Sequence, residues 1–189
     1  MSIVLLTVDA DSRVSLERTL KTSLRYDSIC SLGDDRFAVT TQADSQPPVR
    51  IIDTQGNEGD FQLIKIPKRI HSGGFTNCAY NPVSKTLVLT DGDIIHIVNT
   101  TSGTTTTVTD TRIQGWSSGV AVGPDGYIYV SSSDTNSVVC ISPDGKVIAT
   151  FSVGLNTHTL AISATDDGKK IVLASKRGLK LYKIINKTH

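Results

Sequence analysis

Apolar residues along this chain come in short runs, broken every few positions by Gly, Pro, Asp, Asn or Ser. Runs of that length, bounded by turn formers, read as strands and not as helices. The clearest stretch is SSGVAVGPDGYIYVSSSDTNSVVCISPDGKVIATFSV, from Ser118 to Val153. In it Gly119–Val122 is a strand of small residues, Gly123-Pro124-Asp125-Gly126 turns it, and Tyr127–Val130 returns. A polar link over 131–136 leads to Ser137–Ile141, a second turn at Ser142-Pro143-Asp144-Gly145, and a last strand from Lys146 to Val153. Proline presets φ for the second turn position and glycine takes the positive-φ corner, so both Pro-Asp-Gly turns reverse the chain tightly. Four short strands joined in this way form one antiparallel blade of a β-propeller.

The same pattern recurs. Phe75 to Val108 has Asn81-Pro82 where the first stretch has Gly123-Pro124, and Tyr26 to Ile66 and Thr159 to Ile185 follow suit. Aligned on the first turn, the first strands share columns: Cys30, Cys78, Val120, Leu160; then Ser31, Ala79, Ala121, Ala161; then Leu32, Tyr80, Val122, Ile162. The middle column is small throughout, as suits an inner strand crowded beside a narrow axis. Successive members of the first column lie about 40 to 48 residues apart, the period of a four-stranded blade. The expectation is one all-β propeller domain over 1–189, with blades at 26–66, 75–108 and 118–153 and a partial blade at 158–185. Segment 2–24 reads as the end of a blade: Ile3–Val8 as a third strand, a turn from Asp9 to Ser12, and Val14–Leu20 as an outer strand. Pairing Val14–Leu20 with the last blade would close a small ring, but it would strand Ile3–Val8, and that favours an open ring.

Composition narrows function by exclusion. A formal charge of +1 over 189 residues gives no global attraction to nucleic acid or to an anionic membrane. Ile3–Val8 is too short to span a bilayer and lacks the flanks of a signal peptide, which points to the cytoplasm. Three cysteines without a disulfide framework's spacing agree with that, and Cys30 and Cys78 read as small core residues of two different blades. The glycosylation sequons at Asn99 and Asn186 are silent in that compartment.

The blade sequence VAVGPDGYIYVSSSDTNSVVCISPDGKVIATF resembles NHL-type repeats, and SLERTLKTSLRYDSICSLGDDRFAVTTQ followed by VRIID resembles the C-terminal propeller of tripartite-motif (TRIM) proteins. The resemblance covers nearly the whole chain, but turn and core residues carry it, so it specifies fold better than function. It implies a recognition module that holds a protein substrate or an RNA for a ubiquitin ligase. The RING finger, B-boxes and coiled coil that precede such a propeller are not in this sequence, which has no Cys-x-x-Cys or Cys/His cluster to build zinc modules.

Candidate chemistry is sparse. Gly115-Trp116-Ser117-Ser118-Gly119 fits the nucleophile-elbow pattern, but that motif needs a strand-to-helix turn and here it leads into a strand. His96 falls inside the strand Asp93–Val98 and reads as a blade-face residue, and Asp91-Gly92-Asp93 as a tight turn. No histidines stand at metal-ligand spacing, and neither metal nor cofactor is expected. In a propeller, the loops between second and third strands and those between blades emerge on one face. That face should collect Lys68, Arg69, His71, Arg112, Trp116, Asp134, His158, Lys176 and Arg177, with Asp44, Asp91 and Asp93 among them. Arg and Trp are interface anchors, so the sequence points to a protein partner bound through this face without catalysis. RNA is the alternative ligand, weakened by the mixed signs, and a propeller hydrolase or lyase ranks third. An open ring would also leave edges at Ile3–Val8 and Leu179–Ile185 for self-association.

Overall fold

The computed structural model describes residues 1–41, 47–65, 77–113, 117–132, 134–153, 159–165, 169–175 and 178–184. They form an all-β, four-bladed propeller arrangement of antiparallel sheets. A hairpin, β1 (Ser2–Val8) and β2 (Val14–Lys21), comes first. Blade one follows: β3 (Ser28–Gly33), β4 (Arg36–Thr40), β5 (Val49–Asp53) and β6 (Glu58–Asp60). Blade two is β7 (Cys78–Asn81), β8 (Thr86–Asp91), β9 (Ile94–Asn99) and β10 (Thr105–Thr109). Blade three is β11 (Ser117–Val122), β12 (Ile128–Ser132), β13 (Ser137–Ile141) and β14 (Val147–Ser152). Blade four has three strands, β15 (Thr159–Ala164), β16 (Lys170–Ser175) and β17 (Gly178–Lys183). No helix among the described residues is long and apolar enough to cross a membrane.

Both Pro-Asp-Gly turns form as the sequence predicts. Gly126 and Gly145 take φ of +84° and +90°, and each turn is closed by backbone bonds such as Gly126 N–H to Gly123 O. Blade two solves the same reversal with a side chain. Asn81 accepts from the backbone N–H groups of Val83 and Ser84, and its amide donates 2.9 Å to the Gly123 carbonyl of blade three. One buried polar residue therefore builds a turn and ties it to the next blade.

Alternation along each strand sends one set of side chains toward the preceding blade and the other toward the following one. The core is accordingly a series of interfaces. Leu20 of the hairpin packs with Val39 and Ile52 of blade one. Ala38 and Val49 of blade one meet Cys78, Leu87 and Leu89 of blade two, and Val88, Ile95 and Ile97 meet Val120, Val130 and Ile141 of blade three. Tyr129 and Val138 then meet Ile162, Ile171 and Leu173 of blade four. Each fully buried Val or Ile in these layers contributes about 1.5–3 kcal/mol.

This alternation corrects the place of blade one in the sequence columns. Cys30 pairs with Ala38 and faces blade two, whereas Cys78 pairs with Leu89 and faces blade one. The two are not equivalent; they look at each other. The structural counterpart of Ala79 and Ala121 is Cys30 and not Ser31. Blade one reverses through two left-handed residues, Asp34 and Asp35, behind a bulge between Ser31 and Gly33, and aligning on that shorter turn slips the strand by one position. A slip of one residue exchanges the two faces.

Among the described residues the ring-closing alternative does not form. β2 pairs with β1, and no pairing or core cluster among the described residues joins blade four to the hairpin or to blade one. The hairpin instead takes the place of a blade's third and fourth strands. In successive units, a glycine in the turn before the outer strand lies against the outer strand of the unit before it. A Cβ on Gly145 would stand 3.1 Å from Thr106 of β10, one on Gly103 would meet Leu63 just after β6, and one on Gly56 would stand 3.7 Å from Leu20 of β2. β2 thus stands to blade one as β10 stands to blade three.

Candidate functional site

Of the connections expected on the loop face, the described residues cover 22–27, 41, 47–48, 61–65, 77, 92–93, 110–113, 134–136 and 153. Of the residues expected on it, Lys68, Arg69, His71, Trp116, His158, Lys176 and Arg177, with Asp44, lie outside the described residues. Asp134 is described, exposed in the link between β12 and β13. Asp91-Gly92-Asp93 is the tight turn expected, with Gly92 at φ +61° and Asp91 paired to Ile94. Ser117 opens β11, so the elbow-like motif leads directly into a strand.

Arg112 is engaged within the fold. Its Nε and one terminal nitrogen fork onto the Asp110 carboxylate at 2.8 and 2.7 Å, and that terminal nitrogen also donates 3.3 Å to the Val147 carbonyl of blade three. The guanidinium bonds bring the Asp110 pKa down to about 2. The pair fastens the connection leaving β10 to the outer strand of the next blade. Arg50 does similar work in blade one: it pairs with Asp60 and Glu58, and Glu58 also accepts from Ser23 and from the Tyr26 hydroxyl. Burial and the neighbouring Glu58 push the Tyr26 hydroxyl up to about 12.

Among the described residues of this face is a pair not singled out from the sequence. Arg25 and Asp27 lie in the connection from β2 to β3, where the Arg25 carbonyl accepts from Thr41 and the Asp27 N–H donates to Thr40. The Arg25 side chain is 74% exposed and that of Asp27 only 7%, with 3.6 Å between Nε and Oδ1. Asp27 Oδ2 is shielded and, among the described residues, has no hydrogen-bond partner. A buried carboxylate oxygen without a donor is costly, and such exceptions concentrate where a group is held for use. The sequence carried no signal for it, because Arg-x-Asp in a polar link looks like any solvated rim.

Beneath the loops runs a second feature, a buried hydroxyl at one equivalent position of three blades: Thr40, Thr90 and Ser131. Thr90 Oγ1 accepts from the Asn77 N–H, and Ser131 donates to the Gly119 carbonyl. Where the first strand leaves the ladder, the Thr90 and Ser131 hydroxyls satisfy its backbone. The trace of all three in the sequence is the hydroxyl residue at the middle of VTT, LTD and VSS.

The remaining reactive side chains are packed away. His96 is buried against Thr107, 3.3 Å from Nδ1 to the hydroxyl, and burial lowers its pKa although Asp91 pulls the other way. Cys30 and Cys78 touch across the interface of blades one and two, and Cys78 N–H donates to Ser28 Oγ. The Cys78 thiol beside it, together with burial, pushes the Cys30 pKa up. Among the described residues no three His, Cys, Asp or Glu side chains gather as a metal would require.

No family model matches the chain, so the NHL-type resemblance has no family match behind it. No curated protein matches either. Solved structures do: 965 chains match, a breadth that belongs to an architecture and not to one activity. Among them is selenomethionine-substituted virginiamycin B lyase from Staphylococcus aureus, with a TM-score of 0.59 at 13% identity over 97% of this chain. This chain spans 64% of the length of that structure. At such identity the likeness establishes the β-propeller fold, and the fold alone.

Proposed function

We propose that this chain is a non-catalytic recognition propeller that binds a protein partner through the face carrying Arg25 and Asp27. In role it would be similar to the propellers of NHL type that recruit substrates to TRIM ubiquitin ligases in the cytoplasm. The observation that carries the reading is the pair itself. Arg50 and Arg112 are tied into their own blades, whereas Arg25 stands clear of the surface beside a carboxylate oxygen that lacks a donor. A partner that brings an acidic group to the exposed Arg25 guanidinium would make charge-assisted bonds with it, the stronger kind, while Asp27 beneath holds the guanidinium in place. Arginine is also among the residues that dominate interface energies.

The test places a photo-crosslinking amino acid at position 25 and, as a control, at position 146 in the turn on the opposite face. A nuclease-resistant protein adduct from position 25 alone is expected. The purified partner should then bind Arg25→Ala and Asp27→Asn at least about tenfold more weakly than the parent chain. An adduct destroyed by ribonuclease, with affinity falling steeply as salt rises, would replace this reading with the RNA one. Equal adducts from both positions would remove the face from consideration.

A further inference from the structure

Of the three cysteines in the chain, two meet. Cys30 of β3 and Cys78 of β7 stand on the first strands of adjacent blades and share one apolar layer, whereas Cys140 of β13 lies in the layer between blades three and four. Neighbours on blade one fix where the Cys78 sulfur sits. Ser28 and Cys30, two positions apart on β3, share the face toward blade two, and Ala38 is the cross-strand partner of Cys30. The Cys78 N–H donates 3.2 Å to Ser28 Oγ, and Cys78 Sγ stands 3.6 Å from that hydroxyl and 3.7 Å from the Ala38 carbonyl. Cys78 Sγ is therefore held among the residues that flank Cys30, and the two thiols hydrogen-bond to each other. A methyl group would fill either place as well as a thiol does. Only a pair of thiols can bond across the interface.

We propose that Cys30 and Cys78 are a redox modification site: a peroxide oxidises them to a reversible disulfide that staples blade one to blade two. Cys30 is only partly buried, which gives a molecule as small as hydrogen peroxide a way in beside the pair. Cys78 attacks first. Hydrogen bonds from the Cys30 thiol and the Ser28 hydroxyl hold its pKa below that of a free thiol although burial opposes them, and the thiolate is the reactive form. Cys78 Sγ takes one oxygen as the O–O bond breaks, and the other oxygen leaves as water, so Cys78 becomes a sulfenic acid. The Cys30 sulfur then displaces that oxygen: the S–S bond forms, the S–O bond breaks, and the Cys30 proton departs with the oxygen as a second water. In sum the two thiols lose two electrons and two protons, and the peroxide is reduced to two waters. A thiol reductant restores the pair by exchange. The effect falls on a junction that side chains hold, because β3 and β7 belong to different sheets and share no ladder. A bond there closes a loop of about 48 residues and takes its entropy from the unfolded chain.

The test treats the reduced full chain with hydrogen peroxide in native buffer and reads intact mass, peptide maps and melting. The chain should lose the mass of two hydrogen atoms and regain it with a thiol reductant. Mapping should place the link between Cys30 and Cys78 and leave Cys140 a free thiol. Cys140→Ala should form the link as the parent does, and Cys30→Ala should form none within the chain. The linked parent should melt about 5–15 °C above its reduced form, a gain that Cys30→Ala does not show. Three thiols that survive the peroxide overturn the proposal. So does a chain that only adds oxygen atoms, or one whose link runs through Cys140. A link that forms faster in urea than in native buffer overturns it as well, since the fold would then be holding the sulfurs apart. The deciding readouts come from the parent chain, so they survive a variant that fails to fold, and none involves Arg25 or Asp27.

Discussion

His96 is where a single residue has the most measurable consequence. Its imidazole is held neutral by burial between the sheets, so its folded pKa lies below the value of 6.5 that it has when unfolded. Between those two values the unfolded chain binds more protons, so this contribution is intact above 6.5 and is lost as pH falls through the folded pKa. Urea unfolding of the parent chain should show a lower midpoint at about pH 5 than at about pH 7.5, and His96→Leu should remove part of that difference. An unchanged pH slope in the variant would mean that His96 titrates freely in the fold. The sequence did mark His96 as a blade-face residue, since strand alternation fixes that. It did not reveal the meeting of Cys30 and Cys78, because their facing depends on a bulge and a two-residue turn in blade one that no repeat column records.

Elements are joined in this fold by what the turns can approach. Gly56, Gly103 and Gly145 all take positive φ, and each lies against the outer strand of the preceding unit, but at different closeness. Gly56→Ala should cost about 1–2 kcal/mol from backbone strain alone. Gly145→Ala adds a tight contact at 3.1 Å with Thr106, and Gly103→Ala would drive its methyl into the Leu63 carbonyl. The expected order of lost stability is therefore Gly103 first, Gly145 second, Gly56 last, with the first exceeding the last by about 1–3 kcal/mol in chemical denaturation. If the three variants lost equal stability, the turns would not be seated on the neighbouring strands. Turn positions such as the Pro-Asp-Gly at Gly145 were legible in the sequence. What those turns touch was not, because the contacts run between residues about 40 apart whose approach is set by the stacking of blades.

At the scale of the whole molecule, the propeller architecture was legible because the blades repeat a tight turn after the first strand and the same alternation, and such agreement across levels is what specifies a fold. The candidate face was less so. Arg112 looked available and is tied to Asp110 and Val147, while the Arg25–Asp27 pair looked ordinary. Partner recognition lives in where loop side chains come to rest, which composition does not encode.

The sheet pairings all close within a unit, and the links between units are side-chain layers with few bonds, such as that from Asn81 to Gly123. Under a pulling force applied at the two ends, the chain is therefore a row of parcels tied by weak string. Each blade should shear out as one event and release a length of about 130–150 Å, from roughly 40 residues at about 3.3–3.6 Å each. A single-molecule extension trace with several peaks at that spacing is the expected record. One peak releasing the whole length would mean that the blades share their load, and that the fold resists tension as one body.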